Sequence, residues 1–204
     1  MKKTVILGST GSIGENALRV VEALPSRFCI SGLGVNRNYK RVLQQAKQFN
    51  VKHVAVADVE MAKLCVSEAP PEVHVHSGPA GMEELAALSA VGRPASSGED
   101  ADIVLCAVVG IAGLKPVLSA INNGIDIALA TKEVLVSAGQ IITNACAKNN
   151  AQLLPVDSEH SAIFQCLGGR GQGTEVRGAS PTKPRAKRGR RRGRRRGRKS
   201  GIGD

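Results

Sequence analysis

The chain has 204 residues, with 28 lysines and arginines against 17 acids and a formal charge of +11. Fourteen of those bases and only two of the acids lie in residues 168–204, a net of +12, so residues 1–167 sum to −1 and the basic excess is no property of the body. The body is long enough for one domain with a substantial core, and no apolar run reaches the ~18 residues that a membrane helix needs. Met1-Lys2-Lys3 leads directly into strand-like sequence whose apolar stretch is too short for a signal-peptide core. The five cysteines (Cys29, Cys65, Cys106, Cys146, Cys166) are odd in number and show no C-x-x-C or metal spacing, which suggests buried reduced thiols in a cytoplasmic protein.

Taken in chain order, residues 4–7 form a short β-branched run ending in glycine, as a buried parallel strand does. Residues 12–24 show helical spacing, with Ile13, Ala17, Val20, Val21 and Leu24 on one side and Pro25 as the stop. A strand at 29–35, a helix at 39–49, a strand at 53–57 and a helix at 59–66 follow, then a strand at 73–76 and a helix at 82–88. Residues 92–100 read as a loop. The clear apolar run 102–108 is a strand, 114–121 a helix closed by Asn122-Asn123-Gly124, 126–131 a strand, 137–148 a helix, 151–156 a strand and 158–167 a helix. Strands alternating with helices, and apolar along their whole length, predict a Rossmann-like doubly wound parallel sheet of the α/β class.

The first strand ends in Gly8-Ser9-Thr10-Gly11-Ser12-Ile13-Gly14, directly before a helix. Glycines here permit a tight turn and let backbone N–H groups and a helix N-terminus approach a pyrophosphate. The G-x-x-G-x-x-G spacing meets the generic dinucleotide fingerprint only in part; its bland reading is a helix start that needs compact packing. After the second strand stands Val35-Asn36-Arg37-Asn38, with no acid nearby to take a ribose 2′-OH. Arg37, helped by Asn36 and Asn38, suits a 2′-phosphate, which favours NADP over NAD; otherwise Arg37 is an exposed turn residue.

Ala130-Thr131-Lys132-Glu133 follows a strand, where ligand sites gather. Lys132 suits an anionic or oxygen-rich substrate, and equally the first turn of a helix in which Glu133 favours the macrodipole. In Pro155-Val156-Asp157-Ser158-Glu159-His160-Ser161-Ala162, Asp157 and Glu159 are two hard oxygen donors able to share Mg²⁺ or Mn²⁺. The same spacing also describes a helix cap with a glutamate in the first turn.

Together, GSTGSIG, NRN, ATKE and LPVDSEHSAIFQCL closely resemble 1-deoxy-D-xylulose 5-phosphate reductoisomerases, in order and spacing across residues 1–167. The resemblance implies NADPH-dependent conversion of 1-deoxy-D-xylulose 5-phosphate to 2-C-methyl-D-erythritol 4-phosphate in isoprenoid biosynthesis, by an enzyme that uses a divalent metal and works as a homodimer. It implies that Thr10, Gly11, Ser12 and Ile13 contact the cofactor, with Asn36, Arg37 and Asn38. Thr131 and Glu133 then lie near the nicotinamide half and Lys132 and Ser158 on the sugar phosphate, while Asp157 and Glu159 ligate the metal. Residues 1–150 are the expected NADP-binding domain and 151–167 the start of the catalytic part.

Two departures stand out. Thr131 replaces the family's usual Asn, and the family pattern stops after Leu167, before a third metal carboxylate, a closing loop and a helical C-terminal domain. The chain as written is therefore expected to bind NADPH weakly without turnover. Residues 168–204 contain ten glycines and four apolar residues, too little to bury, and read as disordered in isolation. Their Arg/Gly-rich text is what GC-rich DNA yields out of frame, which favours a frameshift or mispredicted gene end; the competing reading is an authentic basic arm for the phosphates of RNA, DNA or an anionic membrane.

Overall fold

A computed structural model describes residues 1–88 and 101–168, apart from the side chains of Glu159, His160 and Leu167. The expected loop at 92–100 and the tail beyond 168 lie outside the described residues.

Seven strands form one parallel sheet: Lys2–Leu7 (β1), Phe28–Val35 (β2), His53–Val56 (β3), His74–Ser77 (β4), Ile103–Cys106 (β5), Asp126–Leu129 (β6) and Leu153–Pro155 (β7). Their order is β4-β3-β2-β1-β5-β6-β7, so the chain builds outward from β1, returns to its other side and builds outward again. Each strand is followed by a helix: Ser12–Ala23 (α1), Tyr39–Phe49 (α2), Val59–Glu68 (α3), Gly78–Ala86 (α4), Leu114–Asn122 (α5), Lys132–Asn149 (α6) and Ser158–Gly168 (α7). The predicted architecture is thus the observed one.

Burial on both faces explains why the strands read as continuous apolar runs. Val5, Leu7, Val104, Cys106, Ile127 and Leu129 pack toward α4, α5 and α6. Ile6, Leu33, Val35, Val54, Val56 and Leu105 pack toward α1, α2 and α3. Reversal of strand order between β1 and β5 opens a crevice at their carboxyl ends, the place where sheets of this type hold ligands.

Several details differ from the sequence reading. The buried face of α1 is Gly14 and Leu18, with Ala17 and Val21 packed at its border. Ile13, Val20 and Leu24 are 38%, 52% and 39% exposed. The helix meets the sheet through a glycine, which carries no apolar signal, so counting apolar residues rotates the stripe. α6 starts at Lys132, not 137, and is broken at Ala138 (φ −143°, ψ 25°), next to the predicted start. α4 begins earlier than expected, at Gly78, and a 3₁₀ turn at Gly110–Gly113 precedes α5. The expected strands at 102–108, 126–131 and 151–156 shorten to their paired cores.

Cys65, Cys106 and Cys146 are buried and free, as expected, whereas Cys29 is half-buried and Cys166 exposed. Burial pushes the Cys65 and Cys106 thiols up to about 11. At about pH 8 a thiol reagent should therefore label Cys166 rapidly and Cys65 and Cys106 only on unfolding. Peptide mass spectrometry reads this directly, and equal labelling of Cys106 and Cys166 contradicts the packing. No helix among the described residues is long and apolar enough to cross a membrane.

Candidate cofactor and substrate site

The glycine loop between β1 and α1 is held from beneath. The N–H groups of Gly8 and Ser9 both donate to the Gly34 carbonyl of β2, at 2.7 and 3.1 Å. Gly8 has φ +87°, and a Cβ there would stand 2.5 Å from the Ala107 carbonyl oxygen of the strand's other neighbour. Gly14 presses directly on the Gly8 carbonyl and the Ser9 backbone, so α1 rests on the loop it leaves. Both glycines are required by this fold's own geometry.

Gly11 differs. It caps α1 with ordinary φ −82°, and a Cβ there would meet only the Gly8 oxygen at 3.4 Å, an ordinary contact. No side chain caps the helix. Thr10 is half-buried, and Gly11, Ser12 and Ile13 are exposed at this positive helix end. The arrangement fits a pyrophosphate, because its one glycine with no steric need inside the chain lies where an anion would approach.

Beneath the loop lies a polar cluster absent from the sequence reading. Gln45 of α2 bonds Ser9 and Glu15, and Arg41 clasps Glu15 with two N–H groups, at 3.0 and 3.2 Å. The Arg41 guanidinium holds the Glu15 carboxyl below its ordinary value of 4.5, outweighing the opposing effect of burial. A carboxylate with a depressed folded pKa adds stability above the unfolded value and loses it as pH falls through the folded one. Glu15→Gln should accordingly lower Tm near neutrality, with the gap closing as pH drops below 4.5. A gap that stays constant down to about pH 3 would mean that the charge contributes nothing.

At the end of β2, Asn36, Arg37 and Asn38 are exposed. Asn38 caps α2 by accepting the Arg41 N–H at 3.3 Å. The expectation of no acid nearby holds along the sequence but not in space: Arg37 Nε lies 3.3 Å from Asp58 Oδ2. Parallel pairing of β2 with β3 brings them together, and the Asp58 N–H donates to the Asn36 carbonyl. Asp58 is occupied as the cap of α3, accepting the N–H groups of Glu60 and Met61. The Arg37 side chain remains 69% exposed.

Across the crevice, Thr131 is buried and its hydroxyl donates to the Val108 carbonyl at 2.6 Å, fastening the start of α6 to the segment after β5. Lys132 and Glu133 are exposed in the first turn of α6. A cavity of about 270 Å³ lies between this turn and β7–α7, lined by Leu129, Lys132, Leu135, Leu153, Pro155, Asp157, Ile163 and Phe164. It brings Lys132 and Asp157, from two separate motifs, to one wall. Asp157 is half-buried and its carbonyl accepts the Ser161 N–H, starting α7; Ser158 is exposed. The Glu159 side chain lies outside those described. Among the described residues no three His, Cys, Asp or Glu side chains cluster as a metal site. Asp157 is a hard oxygen donor of the kind Mg²⁺ takes, one ligand of the six that ion typically needs.

The family model described as 1-deoxy-D-xylulose 5-phosphate reductoisomerase matches residues 4–139. The reductoisomerase of Thermoanaerobacter pseudethanolicus is 46% identical over 169 residues, covering 83% of this chain and 41% of the relative. That of Chloroherpeton thalassium is 42% identical over 173 residues, with 83% and 41% covered. Among solved structures, the Zymomonas mobilis reductoisomerase in complex with NADPH superposes with a TM-score of 0.70 at 37% identity, covering 81% of this chain and 41% of that one. A DOX-P reductoisomerase in complex with NADPH, fosmidomycin and magnesium gives 0.70 at 32% identity, covering 81% and 39%. The chain spans about two-fifths of the length of the relatives it matches. With the glycine loop, the sheet order and these matches in agreement, this chain belongs to the 1-deoxy-D-xylulose 5-phosphate reductoisomerase family.

Proposed function

We propose that the chain carries the NADPH-binding part and the beginning of the catalytic part of a reductoisomerase that converts 1-deoxy-D-xylulose 5-phosphate to 2-C-methyl-D-erythritol 4-phosphate. The observation that carries this reading is the pairing of an uncapped helix end at Gly11 with a mostly exposed arginine at the end of the neighbouring strand. One suits a pyrophosphate, the other a 2′-phosphate. Membership of the family, and the NADPH in a solved relative at 37% identity, support it.

In this reading Thr10, Gly11, Ser12 and Ile13 hold the pyrophosphate, and Asn36, Arg37 and Asn38 the adenosine end. Glu133 and the backbone at Thr131 border the nicotinamide half, the Thr131 hydroxyl being engaged by Val108. Lys132 meets the anionic sugar phosphate, with Ser158 beside it. Asp157 and Glu159 are the carboxylates for Mg²⁺ or Mn²⁺, and magnesium accompanies NADPH and fosmidomycin in a solved relative. Such a metal, when bound, polarises substrate oxygens; NADPH supplies a hydride. Residues 1–150 form the cofactor unit in this assignment and 151–167 open the catalytic one, although β7 continues the same sheet. Pairing into a homodimer belongs to the same proposal.

Titration of the chain with NADPH and NADH, followed by nucleotide fluorescence, tests the cofactor assignment. NADPH should bind at least about tenfold more tightly, the worth of one charge-assisted phosphate contact. Equal affinity, or binding of neither, overturns it.

A further inference from the structure

The Ser9 side chain, the most buried in the glycine loop, is fully enclosed and faces a glutamine from another helix. Gln45 is 1% exposed and Ser9 0%. The Gln45 Oε1 accepts the Ser9 hydroxyl at 2.7 Å. Its Nε2 donates to the Ser9 carbonyl at 3.1 Å and to Glu15 Oε1 at 3.1 Å. The Ser9 N–H is already committed to Gly34. All three polar groups of Ser9 are thereby fixed, one by β2 and two by a single side chain of α2. Arg41, one turn before Gln45, grips the same Glu15, which sits in the first turn of α1.

An apolar side chain of similar size would fill this space without needing partners, and a buried amide is costly unless its partners are well placed. Among the described residues the amide makes three bonds, all to the loop and to the helix it launches. α2 is also the helix whose first residues follow Arg37 and whose cap is Asn38. One rigid element therefore carries the proposed 2′-phosphate end and, two turns later, the group that sets the height of the pyrophosphate loop.

We propose that Gln45 is a positioning residue for the dinucleotide: through Ser9 it fixes the glycine loop at the distance from Arg37 that NADPH spans. This rests on the NADPH reading above. Gln45 touches no ligand in this role; it acts only through Ser9 and Glu15.

The test is a split between two ligands. NADPH needs both the loop and the Arg37 end, whereas 2′-AMP needs only the latter. In Gln45→Leu the Kd for NADPH should rise about tenfold, as expected when a preorganised loop must be ordered on binding, while the Kd for 2′-AMP stays within about twofold. Ser9→Ala, which keeps Gln45 and removes one bond, should move NADPH in the same direction by a smaller factor and leaves the helix contact intact. It also decides the matter if Gln45→Leu does not fold. Calorimetric titration reads both ligands. If the unsubstituted chain binds no NADPH, the cofactor reading falls and this proposal with it. If the unsubstituted chain binds NADPH but the variants match it, the positioning role alone is overturned. Equal loss of both ligands likewise overturns it, pointing to a general weakening of the fold.

Discussion

Replacing Gly14 by alanine should cost the chain a large part of its folding free energy. The added Cβ would stand 2.6 Å from the Ser9 Cα and closer still to the Gly8 carbonyl, both backbone atoms that no rotamer change can move aside. Relief requires lifting α1 off the sheet, which opens the packing of Leu18 against β1 and β2. Overpacking costs about 1–3 kcal/mol, and the upper end applies where backbone must shift, against ~5–15 kcal/mol for a whole domain. Gly8→Ala belongs to the same class, since it adds a positive φ to a 2.5 Å clash with Ala107. Gly11→Ala, with only a 3.4 Å contact, should leave stability nearly unchanged and weaken NADPH binding. With no tryptophan and one tyrosine in the chain, urea unfolding followed by far-UV circular dichroism is the suitable measurement. Equal unfolding midpoints for Gly14→Ala and Gly11→Ala would refute the distinction drawn between a glycine needed by the fold and one left open for a ligand.

The second large effect is expected on binding. Arg37→Ala should raise the Kd for NADPH about 10- to 100-fold, the range for a hydrogen bond to a charged phosphate, and leave NADH unchanged. Stability should hardly respond: the Arg37 side of the ion pair is mostly exposed, and Asp58 keeps the two N–H groups it caps. Arg37→Lys should fall between, since it retains the charge and loses the planar fork. A parallel loss of NADH affinity would place Arg37 elsewhere than on the 2′-phosphate.

The sheet was legible because its strands are buried on both faces, so their apolar runs survive without alternation. A helix end was legible where a stop marks it, as at Asn123-Gly124 after α5. The face of α1 was not, because the residue that meets the sheet is a glycine. The start of α6 was obscured by the break at Ala138. At the site, motifs placed Gly8, Gly11 and Gly14 in their turn, and the cavity joining Lys132 to Asp157 follows from strand order. Gln45 and Arg41 were invisible, since their partners Ser9 and Glu15 lie 36 and 26 positions away and only the packing of α2 beside α1 unites them. Asp58, as cap of α3 and as neighbour of Arg37, likewise emerges only from the structure.

The central place of β1 also imposes a timetable on biosynthesis. The partner of one edge, β2, follows within about thirty residues, but the other edge waits for Thr4 to meet Ile103 and for the Lys3 N–H to reach the Asp102 carboxylate. At ~5–20 residues per second, roughly a hundred residues take about 5–20 s to synthesise. Throughout that interval Val5, Ile6 and Leu7, all wholly enclosed in the finished protein, lack the partner strand on one edge. Slowing translation between β4 and β5 should therefore aggravate aggregation more than a pause anywhere after β5, as read by the insoluble fraction of the chain.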